Sequence, residues 1–386
     1  MKNAKQGSIG RERRKMDLEI KGSSELEKEV LQRDLCTLCG ACVGMCPYLV
    51  AFKGRVVLLD ICDLSRGRCY AFCPRTSVDL DLVSQAQFGV PYGWEALGTV
   101  SEVIMARSSD AHIRSRAQYG GVVSALISFA LNEGYIDSAV LTITRENLLP
   151  GGILARNEGE VLRCSGSNYI ASPTLEVFNR ASKSDVQRIG VVGIPCQVLA
   201  LGKMRASPLE DKNNIDKLKV VIGLFCTWAL AYRDFMKFMQ KEVSIPEVVK
   251  FDIPPPPANI IEIYTSSGHI SFPLNQIRGF IRATCNYCLD MTAEFADISV
   301  GAVEGIEGWN TVIIRSEKGK ELVRGAFAKG AIETDRLPGE NLDHLKEASM
   351  LKKKRALRAI VESAGDRNNL LYLRMDKEKI GDIHCY

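Results

Sequence analysis

Cys36-Thr37-Leu38-Cys39-Gly40-Ala41-Cys42-Val43-Gly44-Met45-Cys46-Pro47 sets three cysteines at two-residue spacing and a fourth three residues further on, closed by a proline. Spacings this short let three thiolates reach three irons of one cubic iron–sulfur cluster, while the fourth is carried away to a second cluster. A second half-motif follows, with Cys62 and then Cys69-Tyr70-Ala71-Phe72-Cys73-Pro74. Reciprocal crossing assigns Cys36, Cys39, Cys42 and Cys73 to one cluster. It assigns Cys46, Cys62 and Cys69 to the other, which is one thiolate short, with Asp63 and Ser65 nearby. A non-cysteine ligand, a three-iron cluster and no cluster at all stand open for that second position. Four thiolates also suit zinc, but zinc modules pair two separated Cys-x2-Cys knuckles and not a triple run ending in Cys-Pro.

The chain has 386 residues and 13 cysteines. Beyond the seven of the first module, Cys196, Cys226, Cys285 and Cys288 are spread through the body, and Cys164 and Cys385 read as ordinary thiols. With 46% hydrophobic and 25% charged residues the composition is that of a globular chain able to bury its own core, which argues against a disulfide scaffold. A net charge of +4 excludes nucleic-acid binding as the main business. The longest apolar runs, 122–131 and 220–231, fall short of the roughly 20 residues that cross a bilayer. Residues 2–15 are basic with no apolar segment behind them, so no secretory signal is expected.

Four segments are expected. Residues 1–34 read as a polar arm, either mobile or a short partner-binding helix, 35–83 as the ferredoxin-like module, 84–335 as an α/β domain and 336–386 as a charged helical extension. Within the α/β domain, 103–107, 138–144, 188–194, 219–226, 296–303 and 311–315 have the β-branched composition of buried strands. Residues 120–132 read as a helix stopped by Gly134, 231–241 as a second helix, and 254–257 as a rigid proline loop. The basic run at 352–355 reads as a solvated helix face, with a docking surface as the sharper alternative, and the four histidines are isolated.

In an open α/β sheet ligands collect beyond the carboxyl ends of the strands. Cys196, in Gly193-Ile194-Pro195-Cys196-Gln197, and Cys226 both follow such strands, and Cys285-x2-Cys288 supplies a pair from one turn, so a third cluster is favoured. The alternative for Cys226 alone is a buried small hydrophobe. Gln118-Tyr119-Gly120-Gly121-Val122 opens the apolar helix, where backbone amides and the helix dipole suit a phosphate, although a plain turn has the same composition. No G-x-G-x-x-G fingerprint and no P-loop occurs.

These motifs in this order resemble the β-subunit family of coenzyme F420-reducing hydrogenase, which includes F420-oxidising subunits of formate dehydrogenases and membrane F420H2 dehydrogenases. The resemblance rests on residues 118–121, 134–137, 168–172, 193–197, 224–226, 282–290 and 296–301, and covers about 35–316. It implies an α/β FAD-binding domain behind a bacterial-type dicluster ferredoxin-like module. It also implies a non-covalent FAD, a nearby 4Fe-4S cluster on Cys196, Cys226, Cys285 and Cys288, and coenzyme F420 as the hydride substrate. Gln118, Gly120, Gly121, Val122, Ser124, Asn168, Tyr169, Ser172, Gly193, Pro195 and Gln197 would hold the flavin, with two to three clusters in all. The implied partner is a redox subunit of a hydrogenase, formate dehydrogenase, heterodisulfide reductase or membrane dehydrogenase. The expected location is cytoplasmic or peripheral to a membrane complex. No catalytic acid or base is visible. Two other readings compete: a ferredoxin-dependent reductase of a tetrapyrrole in the chlorophyll pathway, and a flavin-free electron-transfer module.

Overall fold

The β-branched runs of the body line up as one sheet. In the computed structural model, which describes residues 19–254, 258–365 and 370–374, eight strands lie edge to edge. Their order is Ile332–Asp335, Glu102–Ser108, Asn310–Ile314, Ile298–Ala302, Leu218–Leu224, Ile189–Gly193, Ser138–Thr144 and Pro150–Ala155. The four strands from Ile298–Ala302 to Ser138–Thr144 are mutually parallel, and antiparallel strands flank them on both sides. Parallel strands covered on both faces read as continuous apolar runs, and Ile189, Val191, Ile222 and Ile298 are fully buried.

One face is covered by the helices Val122–Asn132 and Glu317–Ala328, whose Leu126, Ile127, Leu322 and Val323 pack on Ile222, Ile298 and Val312. That sandwiching explains why Val122–Asn132 is apolar almost all round. The other face carries the helices Leu80–Phe88, Leu175–Ala181 and Pro195–Ala206, the long helix Gly339–Ala364, and the cysteine-rich segment. The cysteine-rich segment has no separate core. Its Leu38, Val43 and Phe72 belong to one cluster with Leu175, Phe178, Met204 and Leu357 of the body.

The expected strands and helices are found with ends shifted by a residue or two. The additions are a second sheet of Val248–Asp252, Ile260–Thr265 and Gly268–Pro273, closed by the helix Tyr232–Glu242 around Phe235, Met239 and Ile263, and the helix–strand pair Glu317–Ala328 and Ile332–Asp335. Two expectations are corrected. The polar arm is not free along its described part, because Ser23–Leu31 is helical and drives Leu26 and Val30 to 1% exposure in the main core. The run at 352–355 is a solvated face only in part: Lys352 and Lys353 point into the body and are buried, while Lys354 is half-buried and Arg355 exposed. Cys385, His384 and residues 255–257 of the proline loop lie outside the described residues.

Lys353 Nζ donates to Glu294 Oε2 at 2.9 Å and to Tyr92 Oη at 2.8 Å, while Tyr92 donates to the same carboxylate at 2.6 Å. Burial pushes the Glu294 carboxyl up and Lys353 opposes it. Removing one partner of such a pair leaves an uncompensated buried charge. Lys353→Met is expected to cost about 3–5 kcal/mol in urea unfolding, and adding Glu294→Gln should restore much of the loss. A single variant with an unchanged urea midpoint would refute this account of the C-terminal helix.

Candidate functional site

The chain crossing of the cysteine-rich segment brings its thiols into two groups. Cys36, Cys39, Cys42 and Cys73 lie within electrostatic reach of one another, and Cys69 lies within reach of Cys46 and Cys62. Cys196, Cys226, Cys285 and Cys288 form a third group, because the first two leave adjacent parallel strands and the Cys285–Cys288 turn folds back over them. Every described cysteine is a free thiol. Among the described residues no three His, Cys, Asp or Glu side chains close on a single ion position, as a zinc knuckle would require. The first and third groups adjoin: Cys39 is within electrostatic reach of Cys196, and Thr37 beside Cys36 stands close enough to the Cys196 thiol to lower it.

The first loop is shaped by its backbone. Leu38, Gly40 and Gly44 take positive φ, and a Cβ on Gly40 would stand 2.4 Å from the Pro173 carbonyl oxygen, so only glycine allows the loop this close to the body. Leu38 N–H donates to Cys36 Sγ and Ala229 N–H to Cys285 Sγ, both at 3.4 Å. Burial pushes the thiols up, Cys69 and Cys73 to about 11 and Cys196 to about 12. Three buried cations stand against them. Lys203 Nζ donates to Cys73 O at 2.6 Å, Thr76 Oγ1 at 2.8 Å and Ser77 O at 2.9 Å, and burial pushes its ammonium down to about 7. Lys352 Nζ donates to Cys226 O at 2.6 Å and Asp290 O at 2.7 Å; burial lowers its ammonium, but Cys288, Cys226, Asp290 and Cys285 together raise it above the usual value. Arg75 is the third.

The residues expected around a flavin are tied together at the carboxyl ends of the parallel strands. Gln118 Nε2 donates to Tyr169 Oη and to Asp252 Oδ1, each at 2.6 Å. Asn168 Nδ2 donates to Thr144 Oγ1 at 3.2 Å, and Ser124 and Ser165 share a hydroxyl contact at 3.1 Å. Gln197 Oε1 caps its own helix by accepting from Ile194 N–H at 2.9 Å, while its Nε2 donates to Ser172 O at 3.1 Å. Pro195 opens that helix, and Gly193 leaves room for Gln197. The glycine pair has an internal reason as well. A Cβ on Gly120 would meet Asn310 Oδ1 at 2.9 Å, Gly121 has φ +74°, and Val122 N–H donates to Asn310 Oδ1 at 3.3 Å. Tyr169 faces Trp228 with ring centroids 6.5 Å apart. Leu230 N–H donates to Tyr169 O at 2.8 Å and Ala171 N–H to Leu230 O at 3.1 Å, so this stretch is zipped to the loop that carries Cys226.

The residues the motifs did not announce are Thr37, Arg75, Asn179, Lys203, Trp228, Asp252 and Lys352. Only Thr37 and Arg75 had a signal, as neighbours of Cys36 and of Cys73-Pro74.

Comparison with known proteins bears on this geometry. Residues 103–179 match the N-terminal and 186–340 the C-terminal family model of the coenzyme F420 hydrogenase/dehydrogenase beta subunit, and 30–50 match a 4Fe-4S binding domain. The chain is 32% identical to the coenzyme F420 hydrogenase subunit beta of Methanothermobacter thermautotrophicus, over 67% of this chain and 94% of that protein. It belongs to this family. The structure is also similar to a chain of the F420-reducing NiFe hydrogenase complex from Methanosarcina barkeri, with a TM-score of 0.66 and 28% identity over 70% of this chain and 94% of that one. The coenzyme F420-dependent sulfite reductase of Methanocaldococcus jannaschii is 30% identical over 85% of this chain, which spans only 50% of that protein. As a family member the chain is an F420-related oxidoreductase subunit with an iron–sulfur motif. Among the described residues no helix is long and apolar enough to cross a membrane.

Cys285→Ser and Cys196→Ser are each expected to remove about four irons per chain by leaving the third group a thiolate short. Unchanged iron by chemical assay in either variant would dissolve that group as a cluster site.

Proposed function

We propose that the chain is the F420-handling subunit of a larger redox complex, holding FAD and 4Fe-4S clusters and exchanging electrons with a partner subunit. The observation that carries this reading is the adjacency of three parts: the expected flavin-side stretch, the body thiols and the module thiols. The 168–172 stretch is zipped to the Cys226 loop, that loop donates Ala229 N–H to Cys285 Sγ, and Cys196 adjoins Thr37 and Cys39 of the module.

The donor sets fit clusters. Two groups supply four thiols each, burial raises Cys39, Cys42, Cys196 and Cys226, and N–H donors and cations at their rims stabilise the thiolate form that binds iron. The third set, Cys46, Cys62 and Cys69, stays one thiolate short. For FAD the fitting features are polar side chains at the strand ends and the first turn of Val122–Asn132, where the amides of Val123 and Ser124 have no intrahelical acceptor. Gln118, Ser124, Asn168, Tyr169, Ser172 and the turn at 193–197 would hold it. When bound, FAD supplies the conversion between the two-electron hydride of F420 and the single electrons of iron–sulfur clusters. Gln118, pinned between Tyr169 and Asp252, keeps a fixed polar edge there, and Tyr169 with Trp228 lines the site with two aromatic rings. Burial followed by Asp252 pushes the Tyr119 hydroxyl up to about 12, so it stays a neutral donor at neutral pH.

The test is anaerobic mixing of the purified chain with reduced F420 while flavin and cluster absorbance are followed. Rapid bleaching of both is expected. Bound FAD that dithionite reduces and reduced F420 does not would overturn the proposal.

A further inference from the structure

The residue after Cys73-Pro74 turns inward between the two four-thiol groups. Arg75 is 4% exposed. Its Nε donates to Thr284 Oγ1 at 2.9 Å, its Nη2 to Thr284 O at 3.2 Å and its Nη1 to Pro74 O at 3.5 Å, and its guanidinium lies 4.7 Å over the Tyr372 ring. The Thr284 hydroxyl passes the link on by donating to Leu35 O at 2.6 Å. The guanidinium is therefore fixed among the neighbours of Cys73, Cys285 and Cys36 at once. Its hydrogen-bond acceptors are carbonyls and a hydroxyl, so its counter-charges must come from elsewhere. Its charge reaches the Tyr372 hydroxyl first, then Cys196, Cys285 and Cys288 of the body, and it also bears on Cys36 and Cys73 of the module. The two buried lysines at the thiols are one-sided: Lys203 stands at Cys73 and Cys39, Lys352 at Cys226, Cys285 and Cys288. The half-buried Arg282, by contrast, reaches from the Cys285 turn to Cys36 O at 2.7 Å and is a second cation near both groups.

We infer that Arg75 is a countercharge shared by both four-thiol groups, raising together the reduction potentials of the two clusters they hold. The inference rests on the reading that both groups hold clusters. Each cluster takes up one electron from an external donor on reduction and becomes more negative, so a fixed buried cation favours the reduced form. Net charge and hydrogen bonding set such potentials. A cation set between both sites shifts the two potentials together, so both clusters become easier to reduce while the step between them is preserved.

The experiment is iron analysis and an EPR-monitored dithionite titration of the full chain, as wild type, Arg75→Gln and Arg75→Lys. Cys285→Ser serves to assign the body signal. Arg75→Gln is expected to keep its iron and to make reduction of both clusters at least tenfold less favourable, about 59 mV lower for one electron. Arg75→Lys should stay near wild type. Full iron with unmoved potentials, or a shift in one cluster alone, overturns the shared role and leaves the cluster reading intact. Wild-type iron well below about eight atoms per chain overturns the cluster reading itself, and the role of Arg75 with it. If Arg75→Gln loses iron, Arg75→Lys decides: wild-type potentials support the shared charge, and a tenfold drop with charge retained overturns it.

Discussion

The carboxamide of Asn179, fully buried in the helix Leu175–Ala181, stands within hydrogen-bond distance of three carbonyls of the cysteine loop: Gly40 at 3.1 Å, Ala41 at 3.0 Å and Val43 at 2.7 Å. Its own oxygen accepts from Asn213 at 2.7 Å, and Leu175 N–H donates to Cys39 O at 3.1 Å. A loop turned by positive φ at Leu38, Gly40 and Gly44 leaves its carbonyls without ladder partners, and buried carbonyls need donors. The body supplies those donors and the apolar surface. The cysteine-rich segment therefore takes its shape from the domain it leans on, and the thiol groups of the two are held in one rigid relation.

That relation concentrates charge in a dry place. Desolvation pushes the thiols up, and cluster binding must release their protons, so buried cations at the rims matter more here than they would in water. Arg75, Lys203 and Lys352 arrive from three parts of the chain, two of them on helices Pro195–Ala206 and Gly339–Ala364 that the sheet's own packing requires. Each cation is anchored through backbone carbonyls of a cysteine loop or its neighbour, which fixes the charge while leaving the sulfurs free for metal. The strand-end loops add the remaining link, since Leu230 bridges Ile170 on one side and Ile281 on the other.

Much of this was legible in the residues. The buried strands announced themselves because parallel strands have no polar face, and Ser138–Thr144 falls where its β-branched run lies. The second sheet was passed over, since a strand such as Gly268–Pro273 is exposed along its length and so lacks an apolar pattern. The basic run at Lys352 was misread for the opposite reason. A lysine whose ammonium finds two carbonyls is as polar in sequence as one in water, and only its partners distinguish them.

By itself, the sequence determined the redox class of the chain, because thiolate spacing along a short loop dictates which irons each sulfur can reach. The strand-end rule likewise placed Cys196 and Cys226 on one side of the sheet. Only the tertiary structure decided how the thiol groups sit together and what charge surrounds them. Asn179, Thr284, Arg75 and Lys352 act across sequence separations of 62 to 209 residues, and no local pattern encodes a contact that exists only once both partners are buried.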